Sequence, residues 1–199
     1  MLLAHAATAA PSAWVQRFAP LLAPGSRVLD VACGSGRHLR WLAAQGWPVS
    51  GVDRDAAALS ALAAELPQAE LLLADLEAAA WPLPGRQFGG VVVTNYLHRP
   101  LFPALLGALA EGGVLLYETF ADGQQTIGRP ARAEFLLQAG ELWRLCAGLR
   151  VVAFEDGFEA ASETSPARFV QRVAAVREAG ASGSTAALPP RYGLPCPAR

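Results

Sequence analysis

The sequence predicts a doubly wound α/β fold built on a mostly parallel sheet. Three observations predict it. Short apolar runs alternate with helix-like stretches at the pitch of βαβ units. The runs are apolar nearly throughout rather than at every second residue, as in strands buried on both faces. Several runs close on Gly or Asp, which puts polar chemistry at the carboxyl ends of strands, where open α/β sheets bind ligands.

Each element follows in order. Residues 12–23 form a short amphipathic helix with Trp14, Val15, Phe18 and Leu22 near one face. Pro24-Gly25 ends it. Arg27 to Val31 is the first strand, and residues 37–45 are a helix stopped by Gly46. Val49 to Val52 is the second strand, closing on Asp53, and the Ala-rich stretch 55–65 is helical. Leu71 to Leu73 is the third strand, closing on Asp75; Val91 to Val93 is the fourth, running into Thr94-Asn95-Tyr96. A helix spans 101–110, and Val114 to Phe120 is the fifth strand. Residues 121–133 have no period and form a long loop, followed by a helix over 134–147 that Gly140 can interrupt. Val151 to Phe158 and Phe169 to Val176 are two further strands, a hairpin at one sheet edge. Residues 1–178 are expected to be a single domain, with 1–23 an N-terminal helical segment and the Gly/Ser/Pro-rich stretch 179–199 a disordered tail.

Composition narrows the function. The net charge is −1, so no global field recruits nucleic acid or an anionic membrane. All sixteen basic residues are Arg. Without Lys there is no Walker A phosphate loop, Schiff-base chemistry or Tyr-x-x-x-Lys dehydrogenase pair. Three scattered Cys make neither a disulfide framework nor a zinc site, so no metal is expected. The start of the chain has no basic n-region, and no apolar stretch reaches membrane-span length. A reduced, cytoplasmic setting fits.

The first strand runs into Asp30-Val-Ala32-Cys33-Gly34-Ser-Gly36-Arg37. Two glycines before a helix N-terminus let backbone approach a ligand closely. A dinucleotide fingerprint needs a third glycine where Leu39 stands, which counts against NAD and FAD. A single Asp after a strand is commonly a turn former or helix cap. Asp30, Asp53 and Asp75 at three consecutive strand ends form a set that converges on one crevice. Three acids suit a cation joined to an adenosine better than a pyrophosphate. Cys33 reads as a small turn residue, and His38 as a surface or packing residue on the first turn of its helix.

The runs VLDVACGSG, VSGVDRD and LLLADLE resemble the first three motifs of class I S-adenosylmethionine (SAM)-dependent methyltransferases. FGGVVVTNYLHRP and EGGVLLYETF resemble that family's fourth and fifth strands. The layout is most similar to the small single-domain group that includes tellurite-resistance methyltransferases. The resemblance implies a Rossmann-like methyltransferase fold with seven strands in the order 3-2-1-4-5-7-6, the last antiparallel. It implies that Asp30 holds the methionine amino group and that backbone at Ala32, Gly34 and Gly36 lines the methionine and ribose. Asp53 would take the ribose hydroxyls, and Arg54 would lie beside the adenine. Asp75 would accept from the exocyclic amine, and the Leu76 amide would meet a ring nitrogen. Asn95 would touch the methionine end.

Tyr96, His98 and Glu118 are the candidate catalytic residues on the acceptor side. His98 is the first choice for a general base because imidazole titrates near neutrality, and Glu118 is the second. His98 reads equally well as a cap for the following helix. Arg129 and Arg132 in the long loop read as solvated or as part of a lid. The aromatic Pro-Pro box of amino-directed nucleic-acid methyltransferases is missing at Thr94-Asn95-Tyr96-Leu97, so the expected acceptor is a small molecule held by residues 1–23, 96–103 and 119–135. Two other readings stand beside this one: a nucleotide-dependent oxidoreductase, and a non-catalytic SAM-binding regulatory module. Oligomeric state is not legible in the sequence.

Overall fold

A computed structural model describes residues 10–162, 165–179 and 191–194. The ends of the predicted domain (1–9) and most of the predicted tail (180–190 and 195–199) lie outside the described residues. One seven-stranded sheet organises the molecule, in the order β3-β2-β1-β4-β5-β7-β6. Its strands are β1 (Val28–Val31), β2 (Val49–Asp53), β3 (Glu70–Leu73), β4 (Phe88–Thr94), β5 (Leu109–Phe120), β6 (Arg150–Glu159) and β7 (Arg168–Val176). Strands β1 to β5 pair in parallel, while β7 runs antiparallel to both β5 and β6. The order and the antiparallel strand are those the family resemblance implied.

Helices cover both faces. On one side lie α1 (Ala13–Phe18), α2 (Arg37–Ala44) and α3 (Ala56–Glu65). Trp14, Phe18, Leu39, Leu42 and Leu62 from these helices pack on Val28, Val92, Leu116 and Ala174 of the sheet. On the other side α4 (Phe102–Gly107) and α5 (Glu141–Leu145) bring Phe102, Leu105 and Leu142 onto Leu29, Val91, Leu115 and Val173. The central strands have no wet face, which is why they read as continuous apolar runs. Ser12 caps α1, its hydroxyl oxygen accepting from the Trp14 and Val15 amides.

Two helices are shorter than their patterns predict. The expected helix 101–110 becomes a 3₁₀ turn (Arg99–Leu101) followed by α4, which stops at Gly107. Leu109 is captured as a strand residue opposite Phe88, and the Phe88 amide donates to the Ala108 carbonyl at 2.8 Å. The expected helix 134–147 breaks into a 3₁₀ turn (Ala133–Phe135), an extended pair Leu136-Leu137, and α5. The Arg99 guanidinium binds the carbonyls of Glu134 and Leu136, and Gly140 at φ 63° cannot continue a right-handed helix.

Candidate functional site

The carboxyl ends of β1, β2, β3, β4 and β5 open on one edge, and the polar strand ends gather there. After β1 the chain turns through Ala32 (φ 54°), Gly34 (φ 53°) and Gly36 (φ 78°) into α2. The two glycines serve different ends. A Cβ on Gly34 would meet nothing, so this peptide faces open space. A Cβ on Gly36 would stand 2.3 Å from Leu62 Cδ2, so this glycine lets α2 seat against α3.

Asp53, at the end of β2, pins this turn. Its Oδ2 accepts from the Gly34 amide at 2.6 Å and its Oδ1 from the Asp55 amide at 2.9 Å. Asp75 is fixed similarly: Oδ1 accepts from the Glu77 and Ala78 amides. Those two bonds hold its carboxyl below the usual range, with Arg54 and His98 adding to the effect. Both acids are therefore turn formers, and each remains within a cleft of about 130 Å³ lined also by Ala32, Arg54, Leu76 and Tyr96.

Asp30 differs from both. It lies beneath the glycine turn, 1% exposed, and its Oδ2 has no hydrogen-bond partner. Burial pushes its carboxyl up to about 8, against the opposing pull of Arg37 and with a further push from Asp53. A buried acid with a vacant acceptor beside an open glycine peptide is suited to receive a cationic ligand group. The Cys33 thiol is buried and its pKa raised, so it is inert packing in the turn.

A second cavity, about 430 Å³, adjoins the first and shares Arg54, Glu77 and Tyr96 with it. Asn95, Leu97, Thr119, Phe120, Pro130 and Phe135 complete its wall. Asn95 takes the left-handed conformation (φ 55°), and its amide donates to the Glu118 carbonyl at 2.9 Å. The next carbonyl, of Tyr96, accepts from the Tyr117 hydroxyl at 2.7 Å. This clamps the β4 turn and sets the Tyr96 ring between the two spaces. The Tyr96 hydroxyl is buried without a partner, and burial, with help from Glu77 and Asp75, raises its pKa to about 12. It is a neutral donor at physiological pH.

Of the three acceptor-side candidates, the structure brings only Tyr96 to this cavity. His98 is half-buried and lines neither space; its side chain makes no capping bond, and its influence falls on Asp75. Glu118 is 1% exposed on the α1 face, accepting from Ser12 and Arg168 and standing 2.5 Å from Arg172 Nε as an ion pair. Neither lines the second cavity. Of the cofactor-side residues, Ala32, Asp53, Arg54, Asp75 and Leu76 line the first cleft, Asn95 lines the second, and Asp30, Gly34 and Gly36 form the turn behind them. Sequence reasoning missed Glu77, Pro130 and Phe135 as individual residues. The signal for the last two was the expected acceptor segment 119–135, with Pro130 in the aperiodic loop and Phe135 at the start of the expected helix.

A wider opening, about 610 Å³ between α5 and the start of β6, lies at the opposite edge, where the parallel strands begin. Position in the fold separates it from the strand-end site. Among the described residues, no group of three or more His, Cys, Asp or Glu is placed to hold a metal ion.

Known proteins bear on this arrangement. A family profile described as "Methyltransferase domain" matches residues 3–156. A trans-aconitate 2-methyltransferase of Paracidovorax citrulli is 36% identical over 131 residues, covering 62% of this chain and 48% of that protein. One from Delftia acidovorans is 32% identical over 120 residues, covering 56% of this chain and 44% of that protein. The chain spans about half the length of the curated relatives it matches. Among solved structures, TehB from Haemophilus influenzae superposes with a TM-score of 0.69 at 19% identity, covering 86% of this chain and 64% of that one. A SAM-dependent methyltransferase from Mesorhizobium loti gives 0.65 at 20% identity, covering 83% and 98%. The glycopeptide N-methyltransferase MtfA, complexed with S-adenosylhomocysteine, gives 0.61 at 20% identity, covering 84% and 90%. At these identities the structures speak for the fold.

Proposed function

The chain belongs to the methyltransferase-domain family, and from that premise we propose that it transfers a methyl group from SAM to a small, carboxylate-bearing molecule. The observation that carries the reading is the vacant, buried Oδ2 of Asp30 beneath an open glycine turn, with Asp53 and Asp75 beside it. These residues fit SAM chemically. Asp30 would receive the methionine ammonium, the Gly34 peptide would lie along the chain, and Asp53 and Asp75 have lone pairs left for ribose hydroxyls and the adenine amine. Arg54 and the Leu76 backbone would flank the adenine. The bound cofactor would supply an activated sulfonium methyl group.

The protein's own part is alignment and exclusion of water. Tyr96, at the wall between the two spaces, would donate its hydroxyl proton in a hydrogen bond to an acceptor oxygen. Arg54 puts a permanent cation on the rim of the acceptor cavity. A carboxylate is already ionised at neutral pH and needs no general base, which agrees with His98 and Glu118 standing elsewhere. The trans-aconitate 2-methyltransferases among the relatives point to the same substrate class. We take residues 1–178 as one methyltransferase domain in a reduced, cytoplasmic setting; the buried free thiols of Cys33 and Cys146 suit it.

The test is a turnover assay for S-adenosylhomocysteine formation from SAM with a panel of small di- and tricarboxylates, trans-aconitate included, and an amine panel beside it. Turnover with a carboxylate, reduced at least tenfold by Tyr96→Phe, is the expected result. Turnover confined to amines overturns the substrate class. Cofactor binding without turnover of any acceptor favours the non-catalytic regulatory module.

A further inference from the structure

His38 lies in the first turn of α2, 2% exposed, behind the glycine turn. Its Nε2 accepts from the Ser12 backbone amide at 3.1 Å. A nitrogen that accepts carries no proton, so the neutral ring holds its hydrogen on Nδ1. Nδ1 faces Asp30, 3.8 Å from the Oδ2 that has no other partner. That gap is longer than a hydrogen bond, and the proposed role requires the carboxyl group to turn and close it.

The residue that sets the tautomer is itself held on every side. The Ser12 hydroxyl accepts from the Trp14 and Val15 amides and donates to Glu118 Oε1 at 3.1 Å. Glu118 is in turn held by Arg168 and Arg172 of β7. Arg37, next to His38, grips the same segment through the Ala10 carbonyl and reaches Thr94 Oγ1 at 3.2 Å. A line of polar groups thus runs from the β7 arginines, through the cap of α1, to His38, with the acid at the end of β1 3.8 Å beyond it.

We propose that His38 is a positioning residue for the amino-acid end of the cofactor: locked by the Ser12 amide with its proton on Nδ1, it turns the Asp30 carboxylate to receive an ammonium group. This rests on the SAM reading above. Burial, with Arg37 beside it, pushes the imidazole down to about 3, so the ring stays neutral and does not compete with the ligand's positive charge. The same line gives Glu118 a purpose away from the acceptor cavity: it anchors Ser12, which sets the tautomer.

The experiment compares two ligands in three proteins. S-adenosylhomocysteine carries the ammonium group; 5′-methylthioadenosine carries the same adenosine and thioether without it. His38→Asn keeps a donor at the position of Nδ1 and loses the Ser12 contact. His38→Gln keeps a group at the position of Nε2 and loses the donor toward Asp30. The expected result is that His38→Gln raises the Kd for S-adenosylhomocysteine about tenfold and leaves that for 5′-methylthioadenosine within twofold. His38→Asn is expected to restore most of the difference. Equal weakening of both ligands in His38→Gln, or loss confined to His38→Asn, overturns the proposal. Wild-type protein that binds neither ligand defeats the SAM reading instead. If neither variant folds, the ¹⁵N pattern of the wild-type imidazole decides: a proton on Nδ1 that shifts with S-adenosylhomocysteine and not with 5′-methylthioadenosine supports the role, and a proton on Nε2 overturns it.

Discussion

Asp30 is a carboxyl group kept protonated by its surroundings until a cation arrives. Burial raises its pKa to about 8, so at pH 7 the free protein holds a proton there. A bound ammonium favours the ionised form and expels that proton. Affinity for S-adenosylhomocysteine should therefore rise with pH between about 6 and 8, by up to about tenfold per unit, and level off above. Calorimetry at pH 7 in buffers of different ionisation enthalpy should register proton release; proton uptake or none would contradict it. Glu118 is held by side-chain partners instead. Its carboxylate serves Ser12, Arg168 and Arg172, so Glu118→Gln should cost about 1–3 kcal/mol in urea unfolding. The folded variant should bind S-adenosylhomocysteine more weakly, through Ser12 and His38, and keep its kcat at saturating cofactor and acceptor. A large fall in kcat with stability unchanged would return Glu118 to the acceptor side. The facing of this residue was legible in the sequence only relative to its neighbours. Strand alternation sets Glu118 and Phe120 on one face of β5 and Tyr117 on the other; Glu118 does turn away from Tyr117, under α1, while Phe120 reaches the cavity at the strand's end.

The glycine turn and the acceptor wall show what decides an element here. Gly36→Ala would force a Cβ onto Leu62 at a left-handed φ, and about 2–4 kcal/mol of stability should be lost in chemical denaturation. The wall of the second cavity is set by Arg99. It pairs with Glu141 and binds the carbonyls of Glu134 and Leu136, which holds Phe135 in place. Arg99→Ala should raise the acceptor KM several-fold and leave S-adenosylhomocysteine affinity within twofold, since no atom of the first cleft depends on it; equal losses in both would refute the separation. These contacts also explain the limits of the sequence. Strands β1, β2 and β4 were legible because their apolar runs end on glycine, aspartate or asparagine. The helices expected over 101–110 and 134–147 were not, because a strand partner 21 residues before Leu109, and a guanidinium 35 residues before Glu134, claimed backbone groups that helical hydrogen bonds would have used.

Across the molecule, one mostly parallel sheet gathers its strand ends into two adjoining spaces, an acid-lined cleft proposed for the cofactor and a larger cavity proposed for the acceptor, with Tyr96 between them. The three acids and the glycine turn were visible in the sequence because they sit in short motifs. The acceptor cavity was visible only as segments: 96–103 and 119–135 supply Tyr96, Leu97, Thr119, Phe120, Pro130 and Phe135, whereas Arg54 and Glu77 join them only through the fold. The central claim is that the acid-lined cleft holds SAM. Its most direct test is a thermal melt with S-adenosylhomocysteine and, separately, NADH, for wild type and Asp53→Ala. A ligand that binds only the folded state raises Tm by mass action. The account predicts a clear rise with S-adenosylhomocysteine, largely lost in Asp53→Ala, and none with NADH. A rise with NADH alone, or none with S-adenosylhomocysteine at millimolar concentration, would contradict it.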